Sequence, residues 1–394
     1  MVKERIKALA LKIHPNVVRI RRHLHAHPEL SFQESETSAY IKERLTEIGI
    51  PWSPIATTGI VAMLEGKLQS ENVIALRADI DALPILEKNT VDYASQNNGV
   101  MHACGHDFHT ASLLGTAHIL QSMRDTFGGR IKLLFQPGEE VLPGGASIMI
   151  KEGVLQNPTP AAIIGQHAMP RIEAGKIGIR SGKHMASMDA VIVRVIGKGG
   201  HGAEPHKNID PVVIAAQIII ALQQVVSRIA QPGEPTVLSF GKVIADGAVN
   251  VIPDEVYMEG TFRAMNETWR DKAHARMKEM AEGIAASMGA ACEFTIIRGY
   301  PFLVNERKLT EQVTQCAVEY LGEENVLDED IWMAAEDFAY YSQAADSCFY
   351  LCGVGNSSKG ITSSLHTATF NIDESALTTS CGLMAYLAIK RLGY

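Results

Sequence analysis

The 394-residue sequence lacks any excess of positive charge: 36 Lys and Arg stand against 44 Asp and Glu, a net charge of −8. That balance argues against a groove built for nucleic-acid phosphates, so no nucleic-acid partner is expected. No uninterrupted run of about 18 apolar residues occurs, so no membrane span is expected either. The opening stretch from Met1 to Lys7 is charged and amphipathic and has no apolar centre of the kind a signal peptide carries. Six cysteines (Cys104, Cys292, Cys316, Cys348, Cys352 and Cys381) are scattered without a framework spacing, which points to a reducing, cytoplasmic setting. Cys348 and Cys352 flank an apolar, strand-like run and are expected to be buried. There is no internal repeat, linker tract or biased segment, and the length leaves room for two domains.

What the sequence does have is concentrated in one stretch. His102-Ala103-Cys104-Gly105-His106-Asp107-Phe108-His109 packs three histidines, a thiol and an acid into eight residues. Thr110 to Leu120 is apolar at helical spacing, which places the cluster where a loop enters a helix. Cys104 and His106, two apart, can project to one side of an extended segment, and His106 and His109 can share a helix face. A thiolate and imidazoles are donors that Zn, Co, Ni and Mn sites draw on, and a metal centre explains this density better than packing does.

The rest of the chain reads as α/β. Residues 4–26 and 34–48 have helical periodicity, the second stopped by Gly49. Residues 59–65, 72–78, 130–135 and 161–167 read as strands, the last ending at His167. Acids, a thiol and histidines thus recur at strand ends, where open α/β sheets bind ligands. From 184 to 297 the order becomes βαββαβ, the split unit of ferredoxin-like domains. The expected organisation is a first catalytic segment at 1–183, an inserted domain at 184–297 and a second catalytic segment at 298–394. The inserted domain's long helix, 211–229, carries few charges and suits burial against another copy or inside its own unit.

Glu139-Glu140 is the second strong signal. Such a pair is ordinarily solvated surface, but this one follows Leu133-Leu134-Phe135 and is bracketed by Pro137 and Pro143-Gly144-Gly145. One carboxylate can bind a metal, which removes the mutual repulsion of the pair, while the other accepts a proton from metal-held water.

Several motifs together carry a family resemblance: His102 to His109, Gln136-Pro-Gly-Glu-Glu140, Gly199-Gly-His-Gly-Ala-Glu-Pro-His206, Asn250-Val-Ile-Pro253 and Gly260-Thr-Phe-Arg263. Pro28-Glu29-Leu30-Ser31-Phe32 and Glu336-Asp337-Phe338 join them. The chain resembles, over essentially its whole length, the two-metal exopeptidases and deacylases that include aminoacylase, acetylornithine deacetylase and bacterial glutamate carboxypeptidase. The nearest branch cleaves N-acyl amino acids, hippurate and auxin conjugates. The resemblance implies a zinc-exopeptidase-like catalytic domain, a mixed sheet flanked by helices, with an inserted ferredoxin-like lid and dimerisation domain. It implies two divalent ions (Zn, Mn, Co or Ni) held by Cys104, His106, Glu140, His167 and His366, with Cys104 bridging. On sequence alone His167 and His366 are ambiguous, since a lone histidine at a strand end or turn is ordinarily structural.

By the same resemblance Glu139 is the general base, and Asp81, of the pair Asp79 and Asp81, orients a metal ligand. His201 reaches into the partner subunit's site of a homodimer to steady the oxyanion, and Asn250 and Arg263 contact substrate. The implied reaction is hydrolysis of an N-acyl or N-aroyl amino acid; a carboxypeptidase or dipeptidase using the same site is the alternative. Ala335 stands where the family commonly has Ser, Thr367-Ala368 where Asn-Pro is frequent, and Gln166 where Asn or Leu is usual. Substrate preference therefore does not transfer directly.

Overall fold

A computed structural model describes residues 1–394. The chain divides into two compact units: residues 1–184, 304–331 and 337–394 form one, and 185–303 with 332–336 form the other.

The first unit is built on an eight-stranded mixed sheet, in agreement with the α/β expectation. Its strands run in the order Trp52–Ile55, Gly59–Glu65, Gly128–Gln136, Leu68–Asp79, Ile163–Glu173, Ser347–Gly355, Ile177–Ile179 and Val326–Asp328. Leu68–Asp79 lies parallel to both Gly128–Gln136 and Ile163–Glu173, and Ile163–Glu173 lies parallel to Ser347–Gly355. Every residue of Ser347–Gly355 is buried, including Cys348 and Cys352, as continuous apolar runs in covered parallel strands require. None of the six cysteines forms a disulfide.

The helix Val2–Ala26 buries Ile6, Ala10, Ile13, Val17, Ile20 and Leu24, a stripe of alternating fours and threes that seats it on the core. It packs against His106–Ser122 and Ala376–Arg391. His106–Ser122 is buried on nearly all sides, which explains why its sequence is apolar around the whole circumference. The short helix Ala339–Ala344 follows Asp337, whose side chain is drawn into hydrogen bonds described below.

One sequence reading needs amending. His167 does not end its strand: the ladder with Ser347–Gly355 continues to Glu173. Arg77 pairs with Gly165, so His167, two residues on, still lies level with Asp79 at the neighbouring strand's end. The helix Pro211–Ile229 is long and apolar enough to cross a membrane by length and composition, although Gln217, Gln223, Gln224 and Arg228 interrupt its apolar run.

In the second unit a four-stranded antiparallel sheet has the order Thr236–Ile244, Glu255–Ala264, Asp189–Ile196, Ala291–Arg298. Helices Pro211–Gln224 and Glu267–Ser287 complete the βαββαβ order. Alternate residues of Asp189–Ile196 are buried, because only one sheet face is fully covered. Asp210 caps the first helix, accepting from the Val212 and Val213 amides at 2.9 and 3.4 Å, and Pro211 opens its first turn. Ile214, Ile218, Leu222 and Val225 face the unit's own core, while Val212, Val213 and Ile220 are exposed.

A buried ion pair anchors this unit. Arg270 donates to Asp189 through Nε at 2.8 Å and Nη2 at 2.5 Å, and His274 adds a contact to Asp189 at 2.7 Å. Burial alone would push the Asp189 carboxyl up, but the hydrogen bonds from Arg270 and His274 outweigh it and hold the carboxyl down at about 2. Its folded value lies below the ordinary 3.8, so the ionised carboxylate stabilises the fold by about 2 kcal/mol. That contribution is complete above about pH 4 and is lost as pH falls through about 2. Asp189→Asn is expected to cost about 2 kcal/mol, because it takes the doubly bonded carboxylate from a buried guanidinium that then keeps Glu267, at 3.0 Å, as its one anionic partner. Hydrogen exchange at the amides of Asp189–Ile196 is the check, and unchanged protection would contradict the assignment.

Candidate metal centre

The side chains that carry the chemistry come from loops, one strand and the first turn of one helix of the first unit. The His102–His109 cluster enters its helix through Gly105, whose φ is +89°, a left-handed turn that lets the chain reverse from Cys104 into the first helical residue, His106. A Cβ at Gly105 would lie 2.8 Å from the Ala168 Cβ, so the turn presses directly on the strand bearing His167.

Cys104 is buried, and its Sγ lies 3.4 Å from His167 Nε2 and 3.2 Å from His366 Nε2. His366 adopts a left-handed φ of 59°, held by its amide donating to the Ala103 carbonyl at 2.8 Å. Glu140 Oε1 lies 3.4 Å from His366 Nε2 and 3.9 Å from His106 Nε2. The donor atoms of Cys104, His106 and His167 lie within 4.8 Å of one another, as do those of Cys104, Glu140 and His366. Cys104 belongs to both groups.

Asp81 organises the entrance. Its Oδ1 faces His106 Nδ1 at 3.1 Å, while Oδ2 accepts from Ser31 Oγ at 2.6 Å and from the Glu140 amide at 3.0 Å. The carboxylate accepts the Nδ1 proton of His106 and so turns Nε2 toward the cluster, where a bound cation would take the place of the second ring proton. Burial disfavours the charged imidazole, yet Asp79, Asp81 and Glu140 outweigh it and raise His106 to about 10. His167 is driven well below its ordinary value by burial and by the nearby His109 and His106. Glu139 is buried, and its Oε1 accepts from the Asp337 amide at 3.2 Å. Gly138, one residue earlier, is tied to Glu34 Oε1 at 2.8 Å, which fixes the path of the loop.

These residues fit divalent ions. His106 Nε2 and Glu140 Oε1 are buried and make no hydrogen bond, a costly arrangement that a bound cation would relieve. The donor set is a thiol, three imidazoles and a carboxylate, and the surrounding field is negative enough to draw a proton onto His106.

His201, Asn250 and Arg263 lie in the second unit. His201 is exposed in the two-residue strand Gly200–His201, which pairs with Val251–Ile252, and the Gly202 amide donates to the Asn250 carbonyl at 2.8 Å. Arg263 lies half-buried on Glu255–Ala264; its Nη1 has no hydrogen-bond partner, and burial lowers its pKa.

The sequence reading assigned no role to Arg77, Gln136 or Asp337. Arg77 is fully buried and donates to Gln136 Oε1 at 2.9 Å, Asp79 Oδ2 at 2.7 Å and Asp337 Oδ1 at 2.8 Å. Gln136 Nε2 and the Ala146 amide complete the shell of Asp337. The signal was present: a cation inside the apolar strand run Val73 to Ala78 must be paired when buried.

Over residues 75–390 the sequence matches peptidase family M20/M25/M40. It is 47% identical over 306 residues to an N-acyl-L-amino acid amidohydrolase of Geobacillus stearothermophilus, covering 77% of this chain and 82% of the relative. It is 41% identical over 377 residues to an N-acetyl-L-cysteine deacetylase of Bacillus subtilis strain 168, covering 95% and 88%. A crystal structure of a dinuclear metal-binding M20-family peptidase from Bacillus subtilis matches with a TM-score of 0.83 at 37% identity, covering 97% of this chain and 99% of that one.

Proposed function

Because the chain belongs to peptidase family M20/M25/M40, we propose that it hydrolyses the amide bond of small N-acyl or N-aroyl amino acids, giving a carboxylate and a free amino acid. The observation that carries this reading is the pairing of two donor groups sharing Cys104 with a separate buried carboxylate, Glu139, in the next residue to Glu140. Cys104, His106, Glu140, His167 and His366 would hold two divalent ions between them. A thiolate with imidazoles and carboxylates accepts Zn, Mn, Co or Ni. When bound, the ions would supply Lewis-acid activation of water and of the scissile carbonyl.

The chain's own residues do the rest. Glu139 accepts a proton from the attacking water and delivers it to the leaving amine. Asp81 is a positioning residue, holding His106 by its ring and Glu140 by its amide. His201, supplied by a second copy, donates to the developing oxyanion, a role worth about 3 kcal/mol. Asn250 and Arg263 meet the substrate, the unpartnered Arg263 guanidinium being suited to a bidentate hold on its carboxylate. A homodimer through the second unit would cover the exposed Val212, Val213 and Ile220. Six cysteines without a disulfide suit a cytoplasmic setting.

The test is release of free amino acid from a panel of N-acetyl and N-benzoyl amino acids and unblocked dipeptides, with chelator and after restoring each metal. Chelator-sensitive cleavage of the acylated set is expected. Faster cleavage of dipeptides would replace this reading with a peptidase, and no bound metal in folded protein would overturn it.

A further inference from the structure

His109 is the third histidine of the cluster, and its ring lies 5.4 Å from that of His106 and 4.9 Å from that of His167, centroid to centroid. Its donor atoms fall within 4.8 Å of those of Asp79 and His106, which would make it a candidate ligand. Its hydrogen bonds exclude that. The Ala168 amide donates to His109 Nε2 at 2.7 Å, and an amide N–H has no other role in such a contact, so Nε2 carries a bare lone pair. The proton is therefore on Nδ1, which faces Asp79 Oδ1 at 2.5 Å. Both ring nitrogens are committed.

Ala168 has a second polar group in use. Its carbonyl lies 2.7 Å from His167 Nδ1, and a carbonyl only accepts, so the His167 proton is on Nδ1 and its Nε2 is the acceptor in the contact with Cys104 Sγ at 3.4 Å. The peptide groups of one residue thus dictate the tautomers of two imidazoles. On the other side Asp79 is held by Arg77 Nη1 at 2.7 Å. Gly105, with no Cβ, lets the Ala168 methyl close against the Cys104 turn.

We propose that His109 is a positioning residue for the metal centre: acting from Asp79 through the Ala168 main chain, it sets the place of His167 beside Cys104. This inference rests on the two-metal reading above and adds a role for a residue that touches neither ion nor substrate. Losing the Nε2 acceptor would free the Ala168 amide, let the strand shift from the Gly105 turn and loosen the spacing between His167 and Cys104. Losing only the Nδ1 donor would leave that spacing in place.

Amide side chains separate the two functions. In His109→Gln the side-chain carbonyl can take the place of Nε2 and accept from Ala168, whereas in His109→Asn the amide nitrogen takes the place of Nδ1 and reaches only Asp79. His109→Leu keeps the bulk and supplies neither. Hydrogen exchange of the Ala168 amide in metal-free protein, with amides of Gly128–Gln136 as the folding control, is the first measurement. Wild type and His109→Gln are expected to protect Ala168 alike, and His109→Asn and His109→Leu to exchange about 10-fold faster, the scale of one net hydrogen bond. Metal content after dialysis against a limiting divalent ion is expected to follow the same order, with Gln near wild type and Asn and Leu lower.

Equal exchange and equal metal content in Gln and Asn would overturn the proposal, whether both resemble wild type or both are impaired. If His109→Leu does not fold, the Gln and Asn pair alone decides. Wild type that binds no metal but shows the predicted exchange pattern would remove the two-metal reading while leaving the His109–Ala168 link standing.

Discussion

Glu139→Gln is expected to lower kcat by about 10³-fold while the protein keeps its full complement of metal, the middle of the range for a general base. The substitution is close to isosteric, and the new carbonyl oxygen can still accept the Asp337 amide that Glu139 Oε1 accepts at 3.2 Å. Gly138 remains tied to Glu34, so the loop that presents Glu140 is not disturbed. What is lost is the basic oxygen that takes a proton from water. Steady-state kinetics on an N-acyl amino acid, paired with metal analysis of the same sample, makes the check. A loss below about 10-fold would remove Glu139 as base, and a parallel loss of metal would make it a ligand instead.

Cys104→Ala is expected to act on the metal itself. The Sγ belongs to both donor groups and lies within 3.4 Å of two histidine nitrogens, so its removal takes a donor from two positions at once. Mutating residues that merely orient ligands typically costs about 10–100-fold in metal affinity. A shared donor is expected to exceed that range, and metal content after dialysis should fall below two ions per chain. Loading with Co²⁺ offers an independent readout: wild type should show thiolate-to-cobalt absorption, and the variant should not. Retention of two ions and of activity would show that the thiol only packs against the histidines. Cys348, Cys352 and Cys381 are buried in the core with thiols pushed upward by that burial, so they do not compete for the signal.

These expectations draw on different levels of the molecule. The density of donors at 102–109, the carboxylate pair after an apolar strand and the switch to βαββαβ order are all local properties, and each was legible as soon as the residues were read in order. The α/β architecture followed because apolar periodicity specifies which face of each element is buried, whatever the partner. Even the misplaced end of the strand carrying His167 is a local error: residues 163–167 are apolar enough to announce a strand, but the continued pairing to Glu173 comes from Ser347–Gly355, some 180 residues away.

What a histidine is free to do could not be read this way. His102, His106 and His109 lie within eight residues and share one chemistry, yet their surroundings divide them completely. His106 has its Nδ1 occupied by Asp81 and its Nε2 open, while His109 has both nitrogens occupied, by Asp79 and Ala168. His102 is buried, neither of its nitrogens has a hydrogen-bond partner, and burial lowers it to about 4. The partners that make these distinctions lie 25 to 59 residues away in the chain, and His366 meets Cys104 across 262 residues. The sequence by itself determined which donors this protein possesses and which elements present them, because composition and periodicity are properties of neighbouring residues. Only the tertiary structure decided which lone pairs remain open, because a ring nitrogen is claimed or left free by whatever distant backbone and carboxylate groups the sheet register brings within 3 Å.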